Sequence, residues 1–400
     1  MSFDMSALFR AGLPPAEQPW APAPRYSFVG GHNDADSVPF GGLVEAAVQA
    51  IRREGPALAT YNLGGSPQGY LPLRDFVAQA VGARAALTCV PDEVLITSGS
   101  LQALDLVNGI FLQPGDTVIV EAATYGGMLS RLRNLGVEVI GVDLDGDGIR
   151  TDHLETLLAG LADQRRRPKY LYTIPTVQNP TGSVMPTRRR LEILALARRF
   201  GVPIFEDDCY ADLLWDGERP PCIRALDDGG GQVVYCGSFS KSIAPALRVG
   251  YVIADWPVIS QMLALKTDAG SGALEQLVVA EYAATHFDDH VTQLSGVLRA
   301  KAEVMAAAVR EYFGDTVAFE MPKGGIFLWL TFPEGVDTGA LVGPAAAAGV
   351  EFNAGAGWSA DAVWGARRLR LCFGHPSAQT IRDGVAALAE VFRHYAAALR

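Results

Sequence analysis

Hydrophobic and polar positions follow two different orders along this chain. Between Pro91 and about Asp255, short apolar runs recur, each followed by a turn and then by a stretch of helical periodicity. The runs are Glu93–Thr97, Thr117–Glu121, Glu138–Val142, Tyr170–Ile174, Pro203–Glu206, Val233–Cys236 and Gly250–Ala254. The helical stretches between them are Leu101–Leu112, Gly127–Leu135, Thr151–Ala162 and Arg188–Phe200. Short runs with little polar alternation read as strands buried on both faces. Such strands, alternating with helices, predict an α/β domain with a mainly parallel, seven-stranded sheet covered by helices. Ligands of such sheets bind beyond the carboxyl ends of the strands.

After Asp255 the pattern changes. Leu263–Arg310 is rich in Ala and Leu at helical spacing, Val317–Pro333 reads as two short strands around Lys323-Gly324-Gly325, Arg367–Phe373 as another strand, and Ala378–Leu399 as an amphipathic helix. Residues 1–30 are rich in Pro and Ala and read as an extended arm with one short helix near Met5–Ala11. The expected division is 1–50 as arm and part of a small domain, 51–294 as a large domain, and 295–400 as a small α+β domain.

Composition narrows the classes. The chain has 400 residues, is 49% hydrophobic and 19% charged, and carries a net charge of −11. That is a folded protein of two or three domains, and its charge argues against nucleic-acid or anionic-membrane partners. The arginine triplets at 165–167 and 188–190 read as solvated faces. The five cysteines include no CxxC pair, which fits reduced thiols in a cytoplasmic protein. Neither a secretory leader nor an 18-residue apolar span is expected.

The densest chemistry lies in Ser238-Phe239-Ser240-Lys241-Ser242 and on to Arg248. Lysines are rare in cores. One placed just past a buried strand, with phosphate-binding groups on both sides, suggests a Schiff base to a phosphorylated aldehyde. Thr97-Ser98-Gly99-Ser100-Leu101 opens a helix after a strand, which is an anion site or an ordinary turn. Glu206, Asp207 and Asp208 end a strand; they read either as polar caps or as a carboxylate that keeps a pyridine nitrogen protonated, making the ring an electron sink. Asn179 in Asn-Pro-Thr-Gly, and Tyr125, follow other strands. Two motifs read as decoys. Asp143–Gly148 begins like a calcium loop but has Leu154 where the twelfth-position acid is required. His286-Phe287-Asp288-Asp289-His290 has HxxxH spacing without the glutamate of HExxH, and reads as a polar break between helices. No metal is expected.

In their order and spacing, these segments resemble the fold type I pyridoxal-phosphate aminotransferases of class I/II, most closely the kynurenine/2-aminoadipate and MocR-like subgroup. The resemblance runs from about Ser27 to the C-terminus. It implies that Lys241 forms the internal aldimine and shuttles the α-proton, that Asp207 faces the pyridinium, that Tyr210 and Asn179 bond the phenolic oxygen, and that Tyr125 stacks on the ring. It implies a phosphate cup of Ser100, the Leu101 backbone, Ser238 and Arg248, with Tyr61 reaching the neighbouring subunit's phosphate in an obligatory homodimer. Arg370 would clamp the substrate α-carboxylate, with Gly31 and His32 lining the substrate pocket; relatives usually carry leucine where His32 stands. The implied activity is ping-pong transfer of an amino group from an L-amino acid to a 2-oxo acid. The rival outcomes are another pyridoxal-phosphate reaction (β-lyase, decarboxylase, racemase or cyclase) or, in a different class, a regulatory module. Ile243, Phe352 and Trp358 are expected in an apolar side-chain pocket, and Arg25 and Arg10 are the basic side chains available on the arm.

Overall fold

All seven apolar runs become strands of one sheet in the computed structural model, which describes residues 3–9, 12–14, 16–17, 19 and 22–398. They are β1 (Val94–Thr97), β2 (Thr117–Glu121), β3 (Glu138–Val142), β4 (Leu171–Thr173), β5 (Ile204–Asp207), β6 (Val233–Ser238) and β7 (Gly250–Ile253). Their spatial order is β1-β7-β6-β5-β4-β2-β3. β7 runs antiparallel to both its neighbours, and every other adjacent pair is parallel. β6 runs two residues past the expected end at Cys236, to Ser238.

The main helices are α1 (Phe40–Glu54), α2 (Ser100–Phe111), α3 (Gly126–Asn134), α4 (Thr151–Asp163), α5 (Thr187–Phe200), α6 (Trp256–Leu265), α7 (Ala273–Phe313) and α8 (Ala378–Ala398). Side chains alternate across the sheet, so successive residues enter different cores. Val118 and Val120 pack with α2, α3 and α6, while Ile119 packs with α4 and α5. Val94, Ile96, Tyr251 and Ile253 meet the first half of α7.

α7 joins the two halves of the molecule. Its 41 residues span about 60 Å at 1.5 Å per residue. Residues up to Val291 pack in the core beside the large sheet. Those from Leu294 onward pack in a separate core with α8, β8 (Phe327–Thr331) and β10 (Arg368–Cys372). β10 also pairs with β9 (Asn353–Ala354). The N-terminal segment enters this second core, where Tyr26–Ser27 pairs with Val350–Glu351 and Phe28 is fully buried.

Several expectations are corrected. The polar break at His286–His290 is absent: α7 passes straight through, because Tyr282, Phe287, His290 and Val291 keep the inward face while the acids lie outside. The interruption falls instead at residues 266–272, between α6 and α7. Around Lys323–Gly325 there is one strand, β8, whose Thr331 forms a single bridge with Ala318. The arm has a 3₁₀ turn at Met5–Leu8; Arg10 and Ala11 lie outside the described residues. Arg190 is not solvated but fully buried. It donates to the carbonyls of Met185 and Pro175 at 2.8 and 3.1 Å and to Thr176 Oγ1 at 2.9 Å. The Asp143–Gly148 segment is a hairpin turn between Leu144–Asp145 and Gly148–Ile149.

Candidate active site

A cavity of about 490 Å³ opens beyond the carboxyl ends of β5 and β6 and is closed by residues of the second core. Among the described residues its lining includes Lys241, Arg248 and Arg370 as cations and Asp207 as the one acid. A space with that balance favours a ligand carrying more than one negative charge.

At one end, α2 begins at Gly99 with no side-chain cap. The first N–H groups of a helix have no intrahelical partner and attract anions. Gly99 has φ +73°, a conformation that favours glycine, and a Cβ there would displace the Arg248 guanidinium. Arg248 reaches in from the 3₁₀ turn after Lys241. Its bonds go to neutral acceptors: Ser240 Oγ at 3.3 Å, the Pro245 carbonyl at 3.2 Å and the Ser98 carbonyl at 3.3 Å. Ser238 Oγ accepts the Ser240 N–H at 3.1 Å. Ser100, Leu101 and Ser238 line the same end.

The three acids at the end of β5 part company. Glu206 shares the face of Ile204 and accepts the N–H groups of Ile223 and Arg224 at 2.7 and 2.9 Å, with Arg190 at 3.8 Å. Asp208 is taken by Arg219 at 2.9 Å. Asp207 alone lines the cavity, held by Tyr172 OH at 2.7 Å and Cys209 N–H at 3.2 Å. Burial raises its pKa against those two hydrogen bonds. It is a buried carboxylate that lacks a cation.

Asn179 and Tyr210 are buried beside it, with Tyr210 edge-on to Phe327 at 5.6 Å between centroids. Tyr125 stands at the start of α3, 5.8 Å from the Trp358 ring. The loop carrying Asn179 is anchored by a residue that pattern reading passed over. The Glu121 carboxylate accepts from Thr173 Oγ1 at 2.7 Å and Gln178 Nε2 at 2.8 Å, and burial lifts its pKa to about 7.

Lys241 is only partly buried as a residue, but its Nζ donates to the Gly31 carbonyl at 2.5 Å. Burial pulls the amine below the usual lysine range, Arg370 and Arg248 add to this, and Cys372 and Cys209 oppose it. A Cβ at Gly31 would come within 2.8 Å of that Nζ, so a side chain there would push the amine aside. Arg370, on β10, is 2% exposed and lies between the Phe327 and Trp358 rings, at 3.8 and 3.5 Å from their centroids. It donates to Asn179 Oδ1 at 3.1 Å, the Gly30 carbonyl at 2.9 Å and Asn353 Oδ1 at 2.7 Å, all neutral. Burial lowers its pKa to about 10. Each such bond to a charged donor contributes about 1.5–3 kcal/mol, which offsets a burial cost of several kcal/mol without supplying a counter-charge.

Of the expected residues, Lys241, Asp207, Tyr210, Ser100, Leu101, Tyr125, Asn179, Ser238, Arg248, Arg370 and Gly31 come together here. His32 does not line the cavity: it is exposed, and its ring meets His375 edge-on at 6.0 Å. Tyr61 is 82% exposed and away from this cavity. Ile243 and Phe352 are packed in the cores, leaving Trp358 as the one of that apolar trio in the lining. Phe327, Asn353 and Cys209 were missed. Asn353 reaches the site through strand pairing opposite Arg370, for which the sequence carries no local signal.

Comparison with known proteins bears directly on this arrangement. The family profile of aminotransferase class I and II matches residues 33–388. The chain belongs to the class I and II aminotransferases. It is 32% identical to the aromatic-amino-acid aminotransferase 1 of Thermococcus litoralis, over 92% of this chain and 88% of that one. It is 33% identical to the 2-aminoadipate transaminase of Thermus thermophilus, over 92% and 90%. Among solved structures it is similar to the α-aminoadipate aminotransferase LysN of Thermus thermophilus, complexed with N-(5'-phosphopyridoxyl)-L-leucine (TM-score 0.85, 33% identity, 93% of each chain). It is likewise similar to the Pyrococcus horikoshii kynurenine aminotransferase (TM-score 0.87, 31% identity, 92% and 91%). This aminotransferase therefore works on amino acids, and its cofactor is pyridoxal phosphate. The residues fit that group by their own chemistry: an anion cradle at Gly99–Arg248, a buried carboxylate without a cation, and an amine of lowered pKa between them. Among the described residues no helix is long and apolar enough to cross a membrane.

Proposed function

We propose that this aminotransferase takes its amino group from an L-amino acid with an apolar or aromatic side chain and passes it to a 2-oxo acid by a ping-pong route, in sites completed by a second copy of the chain. The observation that carries this reading is Arg370, a buried guanidinium held by neutral acceptors alone. A planar fork matches a carboxylate in two parallel bonds, so Arg370 receives the substrate α-carboxylate. Arg248, the α2 N–H groups, Ser100, Ser238 and Ser240 hold the phosphate. Asp207 holds the proton on the ring nitrogen, Tyr210 and Asn179 bond the phenolic oxygen, and Tyr125 supports the ring face. Bound pyridoxal phosphate supplies the electrophilic aldehyde and the electron-withdrawing ring. Lys241 Nζ carries the proton at the substrate α-carbon, a task suited to an amine whose pKa lies below the lysine norm.

With those three cations committed, no further lysine or arginine among the described residues lines the cavity to meet a side-chain carboxylate. Arg25, on the arm, is exposed and sits over the Tyr26 ring instead. Trp358, Phe327 and Leu104 supply apolar surface. A half-reaction screen tests the preference. Phenylalanine or leucine should exceed aspartate in kcat/KM by about 10²-fold or more, since desolvating an unpaired carboxylate costs several kcal/mol. Aspartate reacting as well as the best apolar donor would overturn it.

The second copy is supported by a stripe on α1. Phe40, Val44, Val48 and Ile51, at helical spacing, are 76, 46, 40 and 44% exposed, and Tyr61 lies beyond them. Pairing through that stripe would bring Tyr61 to the partner's phosphate. Phe40→Glu should yield monomers in sedimentation, and Tyr61→Phe should weaken cofactor retention while leaving the dimer intact. We also place the domain boundary inside α7, where the core changes between Val291 and Leu294, and the enzyme in the cytoplasm, in keeping with its five free thiols.

A further inference from the structure

Two of the loops that shape the cavity are fastened to each other by a side chain that does not line it. Glu121 is the last residue of β2, fully buried, and the register of β2 on β4 sets it beside Thr173. Three donors meet its carboxylate. Thr173 Oγ1 and the Ile174 N–H reach Oε1 at 2.7 and 3.2 Å, and Gln178 Nε2 reaches Oε2 at 2.8 Å. A carboxylate accepts from all three, whereas a glutamine would have to turn its own amino group toward one of them.

Gln178 carries the fastening forward. Its Nε2 also donates to the Ala123 carbonyl at 2.7 Å, and its Oε1 accepts the Thr181 N–H and Oγ1, both at 2.8 Å. The amino end is thus fixed to the loop that leads to Tyr125, and the oxygen closes the turn that holds Asn179. That turn needs a hold. Val177 sits at φ +57°, a left-handed conformation that disfavours a β-branched residue and persists only where the surroundings impose it. Asn179 Oδ1 accepts from Arg370 at 3.1 Å, so Nδ2 is the end of that amide left to donate to the cofactor.

We propose that Glu121 is a positioning residue for transamination: through Gln178 it aims the Asn179 amide at the cofactor's phenolic oxygen and keeps it in register with Arg370 and Tyr125. This role rests on Asn179 being the partner of that oxygen. A donor aimed at the oxygen favours its charged form, and so eases proton loss from the cofactor nitrogen beside it. Releasing the hold should therefore raise the pH at which the visible absorption of the bound cofactor changes. It should also slow turnover, since a small misplacement caused from outside the reacting groups is costly.

The test is a spectroscopic pH titration of the holoenzyme, run beside half-reaction kinetics and thermal melting. Glu121→Gln should move the absorption midpoint up by about one unit and lower kcat/KM by about 10–100-fold, with cofactor content unchanged. Gln178→Met breaks the hold from the other loop and should give the same shift, which decides the matter if Glu121→Gln folds poorly. Exchanging the pair, Glu121→Gln with Gln178→Glu, restores a carboxylate–amide bond but not the bond to Ala123, and should recover part of both losses. Asn179→Ala is the reference. If it leaves the midpoint at the native value, the assignment of Asn179 fails and the role of Glu121 fails with it. If Asn179→Ala moves the midpoint while Glu121→Gln and Gln178→Met lower only the melting temperature, Asn179 stands and the positioning role is overturned.

Discussion

The two guanidinium ends of the cavity are built on opposite terms. Arg248 is exposed, sits on a turn in the left-handed region at φ +53°, and shares its work with a helix N-terminus and serine hydroxyls. Arg370 is dry, flanked by two aromatic rings, and has a pKa lowered to about 10. An exposed guanidinium stays hydrated whether or not an anion is present, so it loses little when empty and suits a group held permanently by many donors. A buried one gains most when a carboxylate arrives, because the low-dielectric surroundings magnify the attraction. The difference separates retention of a cofactor from discrimination of a substrate.

Exchanging these roles by mutation gives the largest expected effect at the dry end. Truncating one partner of a buried charge pair costs about 2–5 kcal/mol. Arg370→Met should therefore lower kcat/KM for the donor by about 10²–10³-fold, with cofactor content and absorption unchanged. Arg370→Lys should recover part of that loss, since a point charge cannot form the two-bond fork. Loss of cofactor rather than substrate affinity in Arg370→Met would break the comparison. At the wet end, Arg248→Gln removes charge-assisted bonds of about 1.5–3 kcal/mol. It should speed cofactor loss by about 10–100-fold and reduce the salt sensitivity of retention, while kcat under saturating cofactor stays near native. Equilibrium dialysis against added salt separates the two.

The smallest effect concerns the carboxylate between those ends. Asp207 has a raised pKa in the fold. Its ionised form is therefore penalised by folding, and stability falls as pH rises from the ordinary aspartate value of about 3.9 through the raised one. Asp207→Asn should raise the melting temperature of the cofactor-free protein at neutral pH, and the gain should vanish as pH drops below the ordinary value. With cofactor bound the sign should reverse, because asparagine cannot hold the proton on the ring nitrogen. A melting series over pH, with and without cofactor, checks both halves.

What the sequence made legible follows the same physical divide. The seven sheet strands could be read because six are buried along their whole length and end at a turn, so the apolar run is a local signal; β3, half-exposed at the sheet edge, was legible from its apolar residues between turns. The choice of Asp207 over Glu206 and Asp208 came from a family spacing; its physical basis is the alternation of β5 and the salt bridge from Arg219 to Asp208. Arg190 was misread because an arginine triplet looks solvated, and nothing local reveals the four acceptors, three of them in fully buried bonds, around one of its members. The break expected at His286–His290 was a misreading of charge. The acids there occupy the outer face of a helix whose inner face, Phe287, His290 and Val291, kept its period. Asn353, on a two-residue strand, lies below the length at which periodicity carries information.

The central claim is that Lys241 alone carries the cofactor. The chain has five lysines, Lys169, Lys241, Lys266, Lys301 and Lys323, and three of the others are paired with aspartates. Borohydride reduction of the purified holoenzyme, followed by peptide mass spectrometry, should find the phosphopyridoxyl mass on the peptide containing Lys241 and on no other. The same label on Lys323 or any other lysine, or full transaminase activity in Lys241→Ala, would contradict the account.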